Sequence, residues 1–198
     1  MIIRVAVVLV TTGCLAGCAG ATPSSPPHLA RKVAVLPVNN RTGEPLAVAG
    51  VGPVDRYVLR SEMITVADVL RSEARMELEK GGFEVVPSHA VDATLKGRIP
   101  ADFASAGEMA AQLGIPSLYL EIRRWEAEAP MHPKHVIVAF GASLFDPGNR
   151  QALWHVERKP FPVRTAGVIT MEAAYVAAAR KVVEEMLGTL HPDSSTTR

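Results

Sequence analysis

Lys32 to Val38 reads Lys-Val-Ala-Val-Leu-Pro-Val, an apolar, largely β-branched run with no polar face. That pattern suits a central strand covered on both sides. Asn39-Asn40-Arg41-Thr42-Gly43 ends the run with residues that tolerate turns and hydrogen-bond their own backbone. After a long excursion to Ile64, Thr65 is placed as a helix N-cap with Asp68 three positions on, and Val66, Leu70, Ala74 and Leu78 share one helical face. Gly81-Gly82 stops that helix, Phe83 to Val86 reads as a short strand, and Ser105 to Leu113 as a second helix ending at Gly114. Pro116 to Glu126 alternates, with Leu118, Leu120 and Ile122 on one side and Glu121 and Arg123 on the other, which predicts a half-exposed strand. Val136 to Phe145 is apolar on both faces. Asp146-Pro147-Gly148-Asn149 sets Pro and Gly as the centre of a type II turn into a returning strand through Ala152, Trp154 and Val156. From Gly167 to Leu190 a closing helix carries two apolar lines, Met171, Tyr175, Ala178, Val182, Met186 and Val176, Ala179, Val183, Leu187, a surface broad enough to need burial against a sheet. The order strand, helix, strand, helix, strand predicts an α/β single domain with a central mixed sheet of about five strands, a C-terminal antiparallel hairpin and helices packed on the sheet.

The first thirty residues follow a different pattern. Arg4 precedes an apolar run from Val5 to Thr12, too short to cross a bilayer, and the run closes on Leu15-Ala16-Gly17-Cys18. A small-residue stretch ending in cysteine resembles the lipobox of bacterial lipoproteins. That resemblance implies removal of residues 1–17, diacylglycerol (palmitate-type) acylation of Cys18 as lipidated residue, and a lasting membrane anchor, since more than one chain is needed for stable attachment. The residues by themselves also suit an ordinary secretory signal cut elsewhere. Because Ala19, not Asp, follows the cysteine, the resemblance implies the outer membrane, with the domain facing the periplasm. Residues 18–30, with Pro23, Ser24, Ser25, Pro26 and Pro27, read as a tether, 31–191 as the domain and 192–198 as a polar tail.

Composition then removes function classes. Lys and Arg number 21 against 20 Asp and Glu, and losing Arg4 with the signal leaves the mature chain formally neutral, which does not suit a nucleic-acid partner. Cys14 leaves with the signal and Cys18 is taken by lipid, so the mature domain has no disulfide, cysteine nucleophile or cysteine-held zinc. No cofactor is expected beyond that covalent lipid.

Candidate chemistry is sparse. Gly50-Val51-Gly52 is not followed by Gly-Lys-Ser/Thr and reads as a loop. His132, His135 and His155 could approach one another as zinc ligands, although solvated histidines suit the pattern better, and no metal site is assigned. Ser143 lacks the second glycine of a nucleophile elbow, Glu121 beside Arg123 and Arg124 reads as surface ion pairs, and Asn39 and Asn40 read as turn formers at the strand end where open α/β sheets bind ligands. No catalytic residue is assigned. The excursion from Glu44 to Ile64 is long and apolar for a loop, so Leu46, Val48, Val51, Val54, Tyr57 and Leu59 are candidates for a partner surface.

The opening Lys32 to Gly43, the helix leading to Gly-Gly-Phe-Glu-Val-Val-Pro at Gly81 to Pro87, and the hairpin Leu144 to Trp154 together resemble a group of periplasm-facing lipoproteins. These are an outer-membrane lipoprotein family of unknown function, the lipoprotein activators of penicillin-binding proteins, and the soluble domain of the curli secretion channel. The resemblance implies a non-enzymatic module that binds an envelope protein partner in peptidoglycan synthesis, secretion or export. The alternatives are a homo-oligomeric structural part of an export complex and, further off, a periplasmic metal-dependent hydrolase. Pore formation is not expected, because the segments between elements lack long membrane-inserting alternation.

Overall fold

A computed structural model describes residues 29–48 and 64–192. In chain order these form β1 (Lys32–Val35), β2 (Asn39–Asn40), α1 (Val66–Lys80), β3 (Glu84–Val85), α2 (Ser88–Leu95), α3 (Phe103–Leu113), β4 (Ser117–Ala127), β5 (His135–Phe145), β6 (Ala152–Arg164) and α4 (Met171–Leu187). The sheet has six strands in the order β3-β1-β4-β5-β6, with β2 also on β4. β1 runs parallel to both β3 and β4, while β4, β5 and β6 form an antiparallel meander. The α/β single domain with a mixed sheet and a C-terminal hairpin therefore stands as expected, with one strand more than the five anticipated.

The extra strand comes from a break in the first apolar run. Val35 pairs with Leu118 and Asn39 with Glu121, so four steps along one chain match three along the other. Pro37, which has no N–H to give, sits in the resulting bulge.

One face of the sheet is the main core. Leu118, Leu120, Ile122 and Trp125 of β4 and Val136, Val138, Phe140, Ala142 and Leu144 of β5 meet α1 and α4 there. A register shift between Ile122 and Arg124 keeps Trp125 on this face. Both predicted lines of α4 are buried apart from Met171 at its start, which is partly buried, because this helix packs on α1 as well as on the sheet. The predicted capping box forms: the Thr65 side chain accepts from Asp68 N, and Asp68 accepts from Thr65 N. Gly81 admits the chain end closely, since a Cβ there would lie 2.8 Å from the Leu190 carbonyl oxygen. Among the described residues no helix is long and apolar enough to cross a membrane.

Four local expectations change. α2 is absent from the sequence reading because only Val91 and Leu95 of its eight residues are buried, too few to mark a helical stripe. The β5–β6 connection is not a type II turn. Gly148 is outside the left-handed region, which Arg150 occupies instead at φ 60°, and Arg150 N donates to Asp146 O in a wider loop. β4 is not half exposed, since Tyr119 and Glu121 on its polar side are covered. Leu29, grouped with the tether by its neighbours, is 2% exposed and belongs to the core.

Candidate functional site

The second face of the sheet differs in kind. α2 and α3 cover only one end of it, where Val91, Leu95, Ala106, Met109 and Ala110 pack on Ala34, Leu36, Tyr119 and Phe145. Beyond that end, β4 and β6 set charged side chains on either side of the small Gly141 and Ala139 of β5.

Register builds a polar network at the border. The parallel pairing of Asn39 with Glu121 brings the end of the first strand beside β4. Asn39 Nδ2 donates to Tyr119 Oη at 3.1 Å and to the Ala101 carbonyl at 2.9 Å, and Tyr119 Oη donates to Glu121 Oε2 at 3.0 Å. Glu121 Oε1 accepts from Arg123 Nε at 2.7 Å and from Arg41 at 3.3 Å. Arg123 also reaches Glu157 across β5. Glu121 is 5% exposed, yet both of its oxygens are satisfied, as a buried carboxylate requires.

The electrostatics follow from these partners. Burial acts to raise the Glu121 carboxyl, but hydrogen bonds from Arg123 and Tyr119, with the charges of Arg123 and Arg41, outweigh it and hold the group below the usual range. Burial pushes the Tyr119 phenol up to about 12; Asn39 works against that rise and Glu121 adds to it. Near neutrality Glu121 is therefore ionised and Tyr119 protonated, and neither is poised for proton transfer.

The next row across the sheet is Tyr119, Ser143 and His155. Ser143 is 2% exposed and its hydroxyl lies 2.8 Å from His155 Nδ1, while His155 Nε2 lies 3.9 Å from Glu157. The ring of Phe103, at the start of α3, packs on Phe145 at 4.7 Å and edge-on to His155 at 6.0 Å, yet Phe103 stays 46% exposed. Phe103 thus gives the network an apolar rim.

The candidates named from sequence are dispersed. Asn39 belongs to the network, whereas Asn40 makes the turn, accepting from Thr42 and donating to the Glu44 carbonyl. Glu121 is a buried junction instead of a surface partner, and Arg124 pairs with Glu126. The three histidines do not converge: His155 is opposite Ser143, whereas His135 begins β5 and meets Glu128, about 25 Å away at strand rise. Among the described residues no group of three His, Cys, Asp or Glu side chains could hold a metal. Leu46 and Val48 are 7% and 0% exposed and lie in the domain's own core. They are held by an antiparallel contact in which Val48 N donates to Ile64 O and Val66 N to Leu46 O. Val51, Val54, Tyr57 and Leu59 lie outside the described residues, as do Leu15, Ala16, Gly17 and Cys18. Sequence reading missed Tyr119, Arg41 and Phe103. Alternation alone puts Tyr119, Glu121 and Arg123 on one side of β4, but the parallel register that adds Asn39 and Arg41 has no local signal.

The fold is that of an α/β domain also found in a bacterial lipoprotein. No family model and no curated protein matches the chain in sequence. Among solved structures, lipoprotein GNA1162 from Neisseria meningitidis is similar with TM-score 0.50 and 18% identity, over 78% of this chain and 96% of that one. The PelC dodecamer from Paraburkholderia phytofirmans aligns with TM-score 0.49 and 18% identity, over 86% and 96% of the two chains. E. coli LpoB aligns with TM-score 0.40 and 13% identity, over 82% and 84%.

Proposed function

We propose that this chain is a lipid-anchored protein of the cell envelope whose domain works as a non-enzymatic binding and assembly module. The observation that carries this reading is Leu15-Ala16-Gly17-Cys18 placed a few residues ahead of a domain that begins at Leu29. The fold shared with a neisserial lipoprotein supports it. Ala19 after the cysteine favours the outer membrane, with the domain in the periplasm. Lipid confines the domain to a thin layer, which raises its effective concentration for partners held there. The half-covered sheet face, with ionised groups already fixed in position and Phe103 at its rim, is the surface we assign to an envelope protein engaged in peptidoglycan synthesis, secretion or export.

In-cell crosslinking with affinity capture tests the proposal, comparing the native protein with Cys18→Ser carried by a cleavable ordinary signal. Envelope-synthesis or export proteins captured with the acylated form, and lost in Phe103→Ala with Arg41→Gln, are expected. Recovery of the protein alone would contradict recruitment, and recovery only of copies of itself would replace it by a self-assembling structural role.

A further inference from the structure

A different surface lies at the opposite end of the sheet from the chain entry at Leu29. β4 leads away from that entry, and the loop after it carries Met131; the connection from β6 to α4 carries Ile169. The two loops are clamped together, since Met131 bridges Thr170 and His132 N donates to Ile169 O at 2.8 Å. Met131 is 58% exposed and Ile169 60% exposed, so the clamp holds two large apolar side chains out in solvent.

Cations gather around them. Thr165 N donates to the Lys134 carbonyl, Arg164 is opposite His135, and Lys181 Nζ donates to the Arg164 carbonyl at 2.6 Å, which puts Lys134, Arg164 and Lys181 at the same tip. Arg158 and Lys159 continue the positive charge along β6. At this end Glu126 pairs with Arg124 and Glu128 meets His135, while Glu172, in the first turn of α4, stands as one acid beside the three cations.

β6 is the outer strand, but it makes a poor template for another strand here. Pro162 stands opposite Ile137 within the ladder, so its missing N–H belongs to the outward side. The tip therefore offers side-chain charge and protruding apolar groups instead of a hydrogen-bonding edge. That combination matches an interfacial membrane site, where apolar side chains enter the headgroup layer and cations meet anionic lipid.

We infer that the Met131–Ile169 tip, with Lys134, Arg164 and Lys181, docks on an anionic phospholipid bilayer surface. This contact does not depend on acylation of Cys18.

The test is flotation of the chain starting at Ala19, which keeps the whole described domain, with phosphatidylcholine vesicles containing one third phosphatidylglycerol. Binding at low salt, its loss at high salt, and none to pure phosphatidylcholine are expected. Lys134→Gln, Arg164→Gln and Lys181→Gln together should weaken binding about a hundredfold, at roughly fivefold per cation. Met131→Ser with Ile169→Ser should reduce it as well while leaving the circular dichroism spectrum unchanged. Three results would overturn the inference: no binding to anionic vesicles, binding indifferent to the two serines, or self-association through the tip in place of vesicle binding. Failure here would leave the Cys18 anchor untouched, because the protein used lacks it.

Discussion

The two faces of the sheet are built from the same strands and obey different rules. Under α1 and α4, every inward side chain of β5 from Val136 to Leu144 is apolar and buried, so packing holds the strand layer, and the Glu73–Arg180 pair joins the two helices above it. On the other face the same strands present Tyr119, Glu121, Ser143 and His155, which are held by directed hydrogen bonds; the first three are buried and His155 is exposed. The first arrangement is made for stability. The second keeps charge in fixed places, with Arg41 and Arg123 reaching the surface, and the proposed partner surface rests on that property.

Deleting packing on the first face should have the largest effect. Phe140 is 1% exposed, and Phe140→Ala should cost about 3–5 kcal/mol in urea unfolding. On the second face Glu121→Ala should cost about 1–3 kcal/mol, because Arg123 and Tyr119 lose their common acceptor. A smaller loss than that of Phe140→Ala would sharpen the contrast, and a larger one would make the network the main support of the fold.

The same carboxylate sets a pH dependence. Its folded value lies below the unfolded value near 4.5, so its contribution is present above that pH and is lost as pH falls through the folded value. Glu121→Gln should flatten the acid limb of the stability profile. Tyr119 acts at the other extreme: its raised value keeps its contribution intact below about pH 10 and removes it as pH climbs toward about 12.

Two smaller effects complete the series. Thr65→Ala removes the cap of α1 and should cost about 1 kcal/mol. Arg124→Gln touches only the exposed pair with Glu126 and should leave the unfolding midpoint unchanged.

Legibility in the sequence divides along the same line. The first face is readable because apolar periodicity is local: Val66, Leu70, Ala74 and Leu78, and both lines of α4 after Met171, are buried as their spacing predicts. The second face is not, because its key residues meet through register. Asn39 and Glu121 lie far apart in the chain and become neighbours only when the parallel pairing skips past Pro37. Glu121 therefore looked like a surface residue beside two arginines, and α2, with two buried positions, left no periodic trace. His132, His135 and His155 share a hairpin and so could approach one another, although solvated histidines suit the pattern better, and the strand lengths hold His155 apart from the other two.

Intact-mass and peptide analysis of the protein extracted from the cell envelope tests the central claim most directly. A mature chain that begins at Cys18, carries a diacylglycerol thioether and an acylated amine, and partitions with the outer membrane is expected. A chain that begins at another residue with an unmodified Cys18, or one that retains residues 1–17, would contradict it.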